Sequence, residues 1–177
     1  MATVLILPGL GNSDAEHWQS LWEAAHPEYR RVHQNNWDNP VMADWVTRLE
    51  KAVRATETPV VLVAHSLACL MVAQWSTESN LPVRGALLVA PPDPTNALFP
   101  ECICGFETVS NAHLRFSSIV IASSNDPYGS LEYQAQCARN WGSRFINAGA
   151  RGHLNGASGL GAWPEAHALL EDLICSA

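Results

Sequence analysis

The sequence predicts an α/β protein whose sheet is mostly parallel, six-stranded and covered by helices on both faces, and three observations carry that prediction. Short apolar runs rich in β-branched residues alternate along the chain with longer stretches of helical period. One of those runs turns into a helix with no loop between them, at Ala64-His65-Ser66-Leu67-Ala68. Clusters of turn-forming and chemically able residues follow several runs, at the strand ends where open parallel sheets bind ligands.

Taken in order, residues 3–7 are apolar throughout and form the first strand, closed by the turn cluster Pro8-Gly9-Leu10-Gly11-Asn12-Ser13. A helix is expected over about residues 14–25, burying Trp18, Leu21 and Trp22 at i, i+3 and i+4. A second strand falls around residues 31–35, and a second helix over 41–55 carries Val41, Trp45, Leu49 and Ala52 on one face. Residues 60–64 read as a strand buried on both faces, running straight into a helix of Leu, Ala and Met that continues to about Trp75. The fourth strand, residues 83–90, is closed by Pro91-Pro92-Asp93-Pro94, and the stretch 95–116 has no clear period. A fifth strand at 118–123 ends in Ser124-Asn125-Asp126-Pro127-Tyr128-Gly129. A helix over 130–141, a sixth strand at 144–148 and the glycine-rich loop around His153 follow. The last helix runs from Pro164, a residue suited to a first turn, to about Ile174. The chain contains no internal repeat or linker, so residues 1–177 are expected to form a single domain with a short lid-like loop at about 91–117.

A strand that passes directly into a helix must bend sharply, and Ser66 is the apex. This is the geometry of the nucleophile elbow, usually written G-x-S-x-G, with alanine here in both glycine positions, Ala64 and Ala68. Alanine adds one methyl group and is tolerated if neither position needs a positive φ. A helix starting just after Ser66 aims free N–H groups and the positive end of its dipole at any oxyanion formed there. The plainer alternative is a buried serine that caps the helix.

At 177 residues the chain is long enough to bury a full core, and 47% hydrophobic against 15% charged residues argue against disorder. A formal net charge of −7 argues against nucleic acid or an anionic membrane as partner. No apolar run approaches a membrane span and no basic region precedes Val4, so a cytoplasmic protein is expected. The five cysteines (Cys69, Cys102, Cys104, Cys137 and Cys175) are scattered and odd in number, unlike a disulfide framework. Cys102 and Cys104 lack the usual two-residue zinc spacing, so neither a metal nor a cofactor is expected.

Four groups able to do chemistry fall just after strands: the Gly9-Leu10-Gly11 turn, Ser66, Asp126 and His153. Serine, aspartate and histidine occur in the chain order of a catalytic triad on an α/β sheet. His153 would take the Ser66 proton and return it to a leaving group, and Asp126 would hold the imidazole in the right tautomer. The backbone N–H of Leu67 and that of Leu10 would face the oxyanion, with Gly9 and Gly11 allowing close approach. Asp93 is a rival acid, also just after a strand but set among three prolines. Of the seven histidines, His17, His26 and His167 read as helix or helix-end surface residues, His33 as a strand residue and His113 as part of the irregular stretch. His65, beside the serine, reads as shaping the elbow rather than moving protons. The seven tryptophans read as core and pocket filler.

These residues together resemble a known family. Leu-Pro-Gly-Leu-Gly-Asn at 7–12, His17-Trp18-Gln19-Ser20, Asn36-Trp37-Asp38 and Val63-Ala64-His65-Ser66-Leu67 are similar to the small bacterial serine hydrolases of the retinoblastoma-binding-protein-nine family, also called YdeN-like α/β-hydrolases. So are Ala90-Pro91-Pro92-Asp93, Ser123-Ser124-Asn125-Asp126-Pro127-Tyr128 and Gly152-His153-Leu154-Asn155, and the resemblance spans about residues 3–175. It implies a minimal α/β-hydrolase lacking the first two antiparallel strands, with sheet order 2-1-3-4-5-6 in this chain's numbering. It also implies nucleophile, acid and base at Ser66, Asp126 and His153, and departs at Ala68, where relatives often carry glycine. The family is mostly assigned to ester and related hydrolysis without a settled natural substrate.

The expected activity is that of a serine hydrolase, a carboxylesterase first, acting on a small ester, thioester or amide through an acyl-enzyme. A non-catalytic interaction module that kept the fold is the alternative. A dinucleotide site at Gly9-Leu10-Gly11 fails because Asp14 stands at the third glycine position and no P-loop lysine is present. Leu98, Phe99, Ile103 and Phe106 are expected to line a shallow apolar acyl pocket.

Overall fold

The computed structural model describes residues 2–175; Met1, Ser176 and Ala177, at the ends of the expected single domain, lie outside the described residues. Six strands, β1 (Thr3–Leu7), β2 (Arg30–Arg31), β3 (Val60–His65), β4 (Val83–Val89), β5 (Ser117–Ala122) and β6 (Arg144–Asn147), form one sheet in the order β2-β1-β3-β4-β5-β6. Every strand pair is parallel. Five α-helices connect or follow them: α1 (Trp18–Ala25), α2 (Met42–Arg54), α3 (Leu67–Glu78), α4 (Leu131–Trp141) and α5 (Pro164–Cys175).

The alternation of side chains along β3 separates the two cores. Val60, Leu62 and Ala64 pack with the buried faces of α2, α3 and α4, including Trp45, Leu49, Leu70 and Trp141. Val61 and Val63 point the other way, against Trp18 and Trp22 of α1 and Leu170 and Leu173 of α5. All six β3 residues are buried, which is why the strand reads as a continuous apolar run. Each buried aliphatic side chain of this kind contributes about 1.5–3 kcal/mol. Helix α3 is buried almost all round, from Leu67 to Ala73 and again at Trp75, and so has no polar face.

Three elements differ from the sequence reading. The first helix begins at Trp18 rather than near Asp14, because His17 takes extended backbone and caps it, Nδ1 accepting from the Gln19 N–H at 3.2 Å. Strand β2 has two residues instead of about five. After Val32, whose N–H still reaches the Ile6 carbonyl, the chain is drawn into a turn in which the Asn36 side chain accepts from the N–H groups of Asp38 and Asn39. On α2 the inward face is Met42, Trp45, Leu49 and Val53. Val41 is the extended N-cap and is exposed, and Ala52 is only partly buried. Among the described residues no helix is long and apolar enough to cross a membrane.

Candidate active site

The carboxyl ends of the central strands meet at Ser66. Its backbone has φ 55° and ψ −123°, a left-handed region that costs a non-glycine residue about 1–3 kcal/mol and persists only where the surroundings impose it. The bend is held from beside the strand, where the Ser66 N–H donates to the Val89 carbonyl at 2.8 Å. Ala64 and Ala68 are both fully buried and neither has a positive φ, so alanine fits where the motif usually has glycine. The tight neighbour is Gly9, where a Cβ would lie 3.0 Å from the Ser66 Cβ and 3.4 Å from the Leu67 nitrogen. The β1 turn therefore rests directly on the elbow.

Ser66 stands in the N-cap position of α3, yet its hydroxyl caps nothing. Its Oγ lies 2.7 Å from His153 Nε2, and His153 Nδ1 lies 2.9 Å from both carboxylate oxygens of Asp126. The carboxylate can only accept, so the imidazole proton sits on Nδ1 and bare Nε2 receives the serine hydroxyl. Asp126 is positioned in turn by the Tyr128 N–H on Oδ1 and by Gln134 Nε2 on Oδ2, each at 2.9 Å. The rival Asp93 does not reach the imidazole: its Oδ1 accepts from the backbone and hydroxyl of Thr95, both at 2.8 Å.

Two buried glutamines complete the frame, and the sequence reading gave neither a role. Gln134 on α4 accepts from the Ser123 N–H at 3.3 Å while it donates to Asp126, so it joins the end of β5 to the carboxylate. Gln19 on α1 donates from Nε2 to the carbonyls of Leu7 and Val63, holding the ends of β1 and β3 together beneath the elbow. The detectable signal for Gln19 was an amide inside the apolar stripe Trp18-Gln19-Trp22. Gln134 left no comparable mark.

His17 is a correction. It was expected at the surface but is 3% exposed, its ring edge-on to His65 at a centroid distance of 4.7 Å. The reason is its capping role, which turns the side chain inward. Burial brings its pKa down to about 4, with Arg31 and His153 acting the same way and Asp14 opposing. His65 is also held well below the usual histidine range, by burial first and then by the neighbouring His17 and His153. Both rings are thus neutral near pH 7. His26 and His167 stack on one another, partly buried, at 4.7 Å between α1 and α5. His33 is exposed beyond β2, and His113 packs over Gly142.

The site opens into a cavity of about 280 Å³. Its lining includes the apolar Leu10, Pro92, Phe99, Pro100 and Ile103 and the polar Asn12, Asp14, His17 and Asn155. Two residues expected in the apolar lining are elsewhere: Leu98 is 56% exposed, and Phe106 is fully buried edge-on against Trp45 at 5.7 Å. Phe106 has an aromatic partner in the core, and Leu98 sits on a turn in which its N–H is taken by the Asn96 side chain. Among the described residues no group of three or more His, Cys, Asp or Glu is arranged to hold a metal ion, and the five cysteines are free.

Comparison with known proteins bears on the family and the fold. The chain is similar to the crystal structure of a protein from Pectobacterium atrosepticum described as a YdeN-like hydrolase, at 29% identity and TM-score 0.85 over 98% of this chain and 91% of that one. The ydeN gene product of B. subtilis follows at 20% identity and TM-score 0.78, covering 99% and 100% of the two chains. Est1E from Butyrivibrio proteoclasticus, solved with ferulic acid, shares 9% identity at TM-score 0.75 over 99% and 90%, and these last two are likenesses of fold. No curated protein matches in sequence. The profile of the serine hydrolase family matches residues 4–172, nearly the whole chain, and the protein belongs to that family, with the fold of an α/β-hydrolase.

Proposed function

We propose that this serine hydrolase is a carboxylesterase that cleaves small esters through an acyl-enzyme on Ser66, with His153 as base and Asp126 as its orienting acid. The observation that supports the reading most is the single imidazole within hydrogen-bond distance of both Ser66 Oγ, at 2.7 Å, and the Asp126 carboxylate, at 2.9 Å.

In the acylation step His153 Nε2 takes the hydroxyl proton as Ser66 Oγ attacks the ester carbonyl. Asp126 stabilises the imidazolium, which then gives its proton to the departing alcohol. The negative charge on the former carbonyl oxygen is assigned to the backbone N–H groups of Leu67 and Leu10. Leu67 is the first residue of α3, where an N–H has no intrahelical partner and the dipole is positive. Leu10 lines the cavity just after Gly9, the residue pressed against the elbow. Removing one such donor costs about 3–4 kcal/mol of barrier. Water activated by the same imidazole then releases the acid and restores Ser66.

The substrate class follows from size and lining. A cavity of about 280 Å³ is at the small end for ligand sites, and its apolar lining of Phe99, Ile103 and two prolines suits a short acyl chain. The decisive experiment is fluorophosphonate labelling of wild type beside Ser66→Ala, followed by a p-nitrophenyl ester series from acetate upward. Labelling is expected only with Ser66 present, and kcat/KM is expected to fall as the acyl chain lengthens. Labelling that survives Ser66→Ala overturns the mechanism, and a preference for long chains overturns the substrate class.

A further inference from the structure

Four consecutive residues of the loop carrying His153 have a backbone group held by a side chain from another element. The Arg151 N–H donates to Ser123 Oγ at 3.0 Å and the Gly152 N–H to Asn125 Oδ1 at 2.7 Å. The His153 carbonyl accepts from His65 Nε2 at 2.9 Å, and the Leu154 carbonyl from Trp18 Nε1 at 2.8 Å. Only His65 among these partners belongs to the elbow. The dipeptide His65-Ser66 therefore grips one residue twice, Ser66 on the imidazole of His153 and His65 on its main chain.

We propose that His65 is a positioning residue for the base: its Nε2–H holds the His153 carbonyl and thereby keeps the imidazole on the Ser66 hydroxyl. The proposal rests on the acyl-enzyme reading above. The loop needs holding because Gly152 and Leu154, on either side of His153, both have positive φ, at 61° and 51°. For Leu154 that backbone is strained, and it persists only while its surroundings impose it. The side chain of Leu154 is fully buried and its carbonyl is taken by Trp18, so the loop is fastened beyond the base as well as at it.

The polarity of the bond is not free. A carbonyl oxygen only accepts, so His65 must carry its proton on Nε2. The ring is enclosed by His17 at 4.7 Å, Trp18 at 6.1 Å and His153 at 5.0 Å between centroids, which keeps water from replacing the bond. A neutral ring here also spares the imidazolium formed on His153 a second positive charge close by.

The test compares wild type, His65→Phe and His65→Gln on p-nitrophenyl acetate. Phenylalanine keeps the aromatic volume and removes the donor, whereas the glutamine amide offers an N–H at nearly the reach of Nε2. His65→Phe is expected to lower kcat by about 10²-fold with little change in KM, as a small misplacement of a base does. His65→Gln is expected to recover at least about tenfold of that loss, which a purely space-filling role does not allow. A kcat for His65→Phe within about twofold of wild type, a loss carried by KM, or a glutamine variant no better than phenylalanine overturns the proposal. If the phenylalanine variant does not fold, imidazole ¹⁵N shifts of the wild-type protein near pH 7 decide: a neutral His65 protonated on Nε2 supports it, and a proton on Nδ1 overturns it. Activity that survives Ser66→Ala would instead defeat the acyl-enzyme reading, so the two failures are separable.

Discussion

Two segments frame the same cavity and are built differently. The loop from Arg151 to Leu154 is held by Ser123, Asn125, His65 and Trp18, all distant in sequence. The segment between β4 and β5, which supplies Phe99, Pro100 and Ile103, contains no helix or strand. Around those residues it makes short local turns, in which the Asn96 N–H reaches the Asp93 carbonyl, Phe99 reaches Asn96 and Ile103 reaches Pro100. Its ties to other elements flank them, from the Asp93 N–H to the Tyr128 carbonyl, Asn96 Nδ2 to the Pro127 carbonyl and the Cys104 N–H to the Pro40 carbonyl. The first arrangement suits a group whose position must hold to a fraction of an ångström; the second suits a wall whose shape can vary without moving the reacting atoms. Under the proposed mechanism the difference would give rate to one segment and substrate choice to the other.

That contrast can be broken in several places. Ser66→Ala removes the proposed nucleophile, and kcat on a p-nitrophenyl ester is expected to fall on the order of 10⁶-fold. Asp126→Asn leaves the shape but reverses the tautomer preference of His153, with an expected loss of about 10⁴-fold in kcat. Its neighbour gives a graded version: Gln134→Ala deprives the carboxylate of one donor and leaves the Ser123 N–H unpaired, for an expected loss of about 10-fold in kcat and about 1–3 kcal/mol in unfolding free energy. If Gln134→Ala changes KM alone, the carboxylate does not depend on that support. In the apolar lining, Phe99→Ala is expected to shift the acetate-to-hexanoate ratio of kcat/KM toward the longer chain by about 10-fold. A uniform drop across the ester series would place Phe99 with the rate-determining segment and dissolve the comparison.

The pH dependence of stability has a definite sign. The folded-state pKa of His17 is about 4, below its ordinary value of 6.5, so the unfolded chain binds the extra proton first. The contribution is fully present above pH 6.5 and is lost as pH falls toward 4, amounting to about 3 kcal/mol at the lower limit. Urea unfolding at a series of pH values should show His17→Asn less sensitive to acid than wild type over that window. Equal sensitivity would mean that His17 takes up its proton without opening the site.

The order of strands and helices was legible because each depends on a pattern within a few residues. The β3 run, the loopless passage to α3 and the Pro164 start of α5 needed no partner to be recognised. Ser66, Asp126 and His153 stood out because each follows a strand, and the structure brings the three side chains within hydrogen-bond distance. The shortness of β2 was not legible, since an edge strand ends where a competing turn draws the chain away. Neither was the fate of Phe106, which its place in the lid-like stretch assigned to the cavity and Trp45 draws into the core.

The sequence by itself determined the α/β alternation, the bend at Ser66 and the identity of the groups gathered at the strand ends, because these follow from periodicity, residue size and chain order. Tertiary structure alone decided that His17 is buried, that Gln19 and Gln134 tie strand ends to the site, and that His65 holds the main chain of His153. Each of these depends on a polar atom finding a partner far away in sequence, and a buried polar group is bound by whichever distant element arrives within about 3 Å of it.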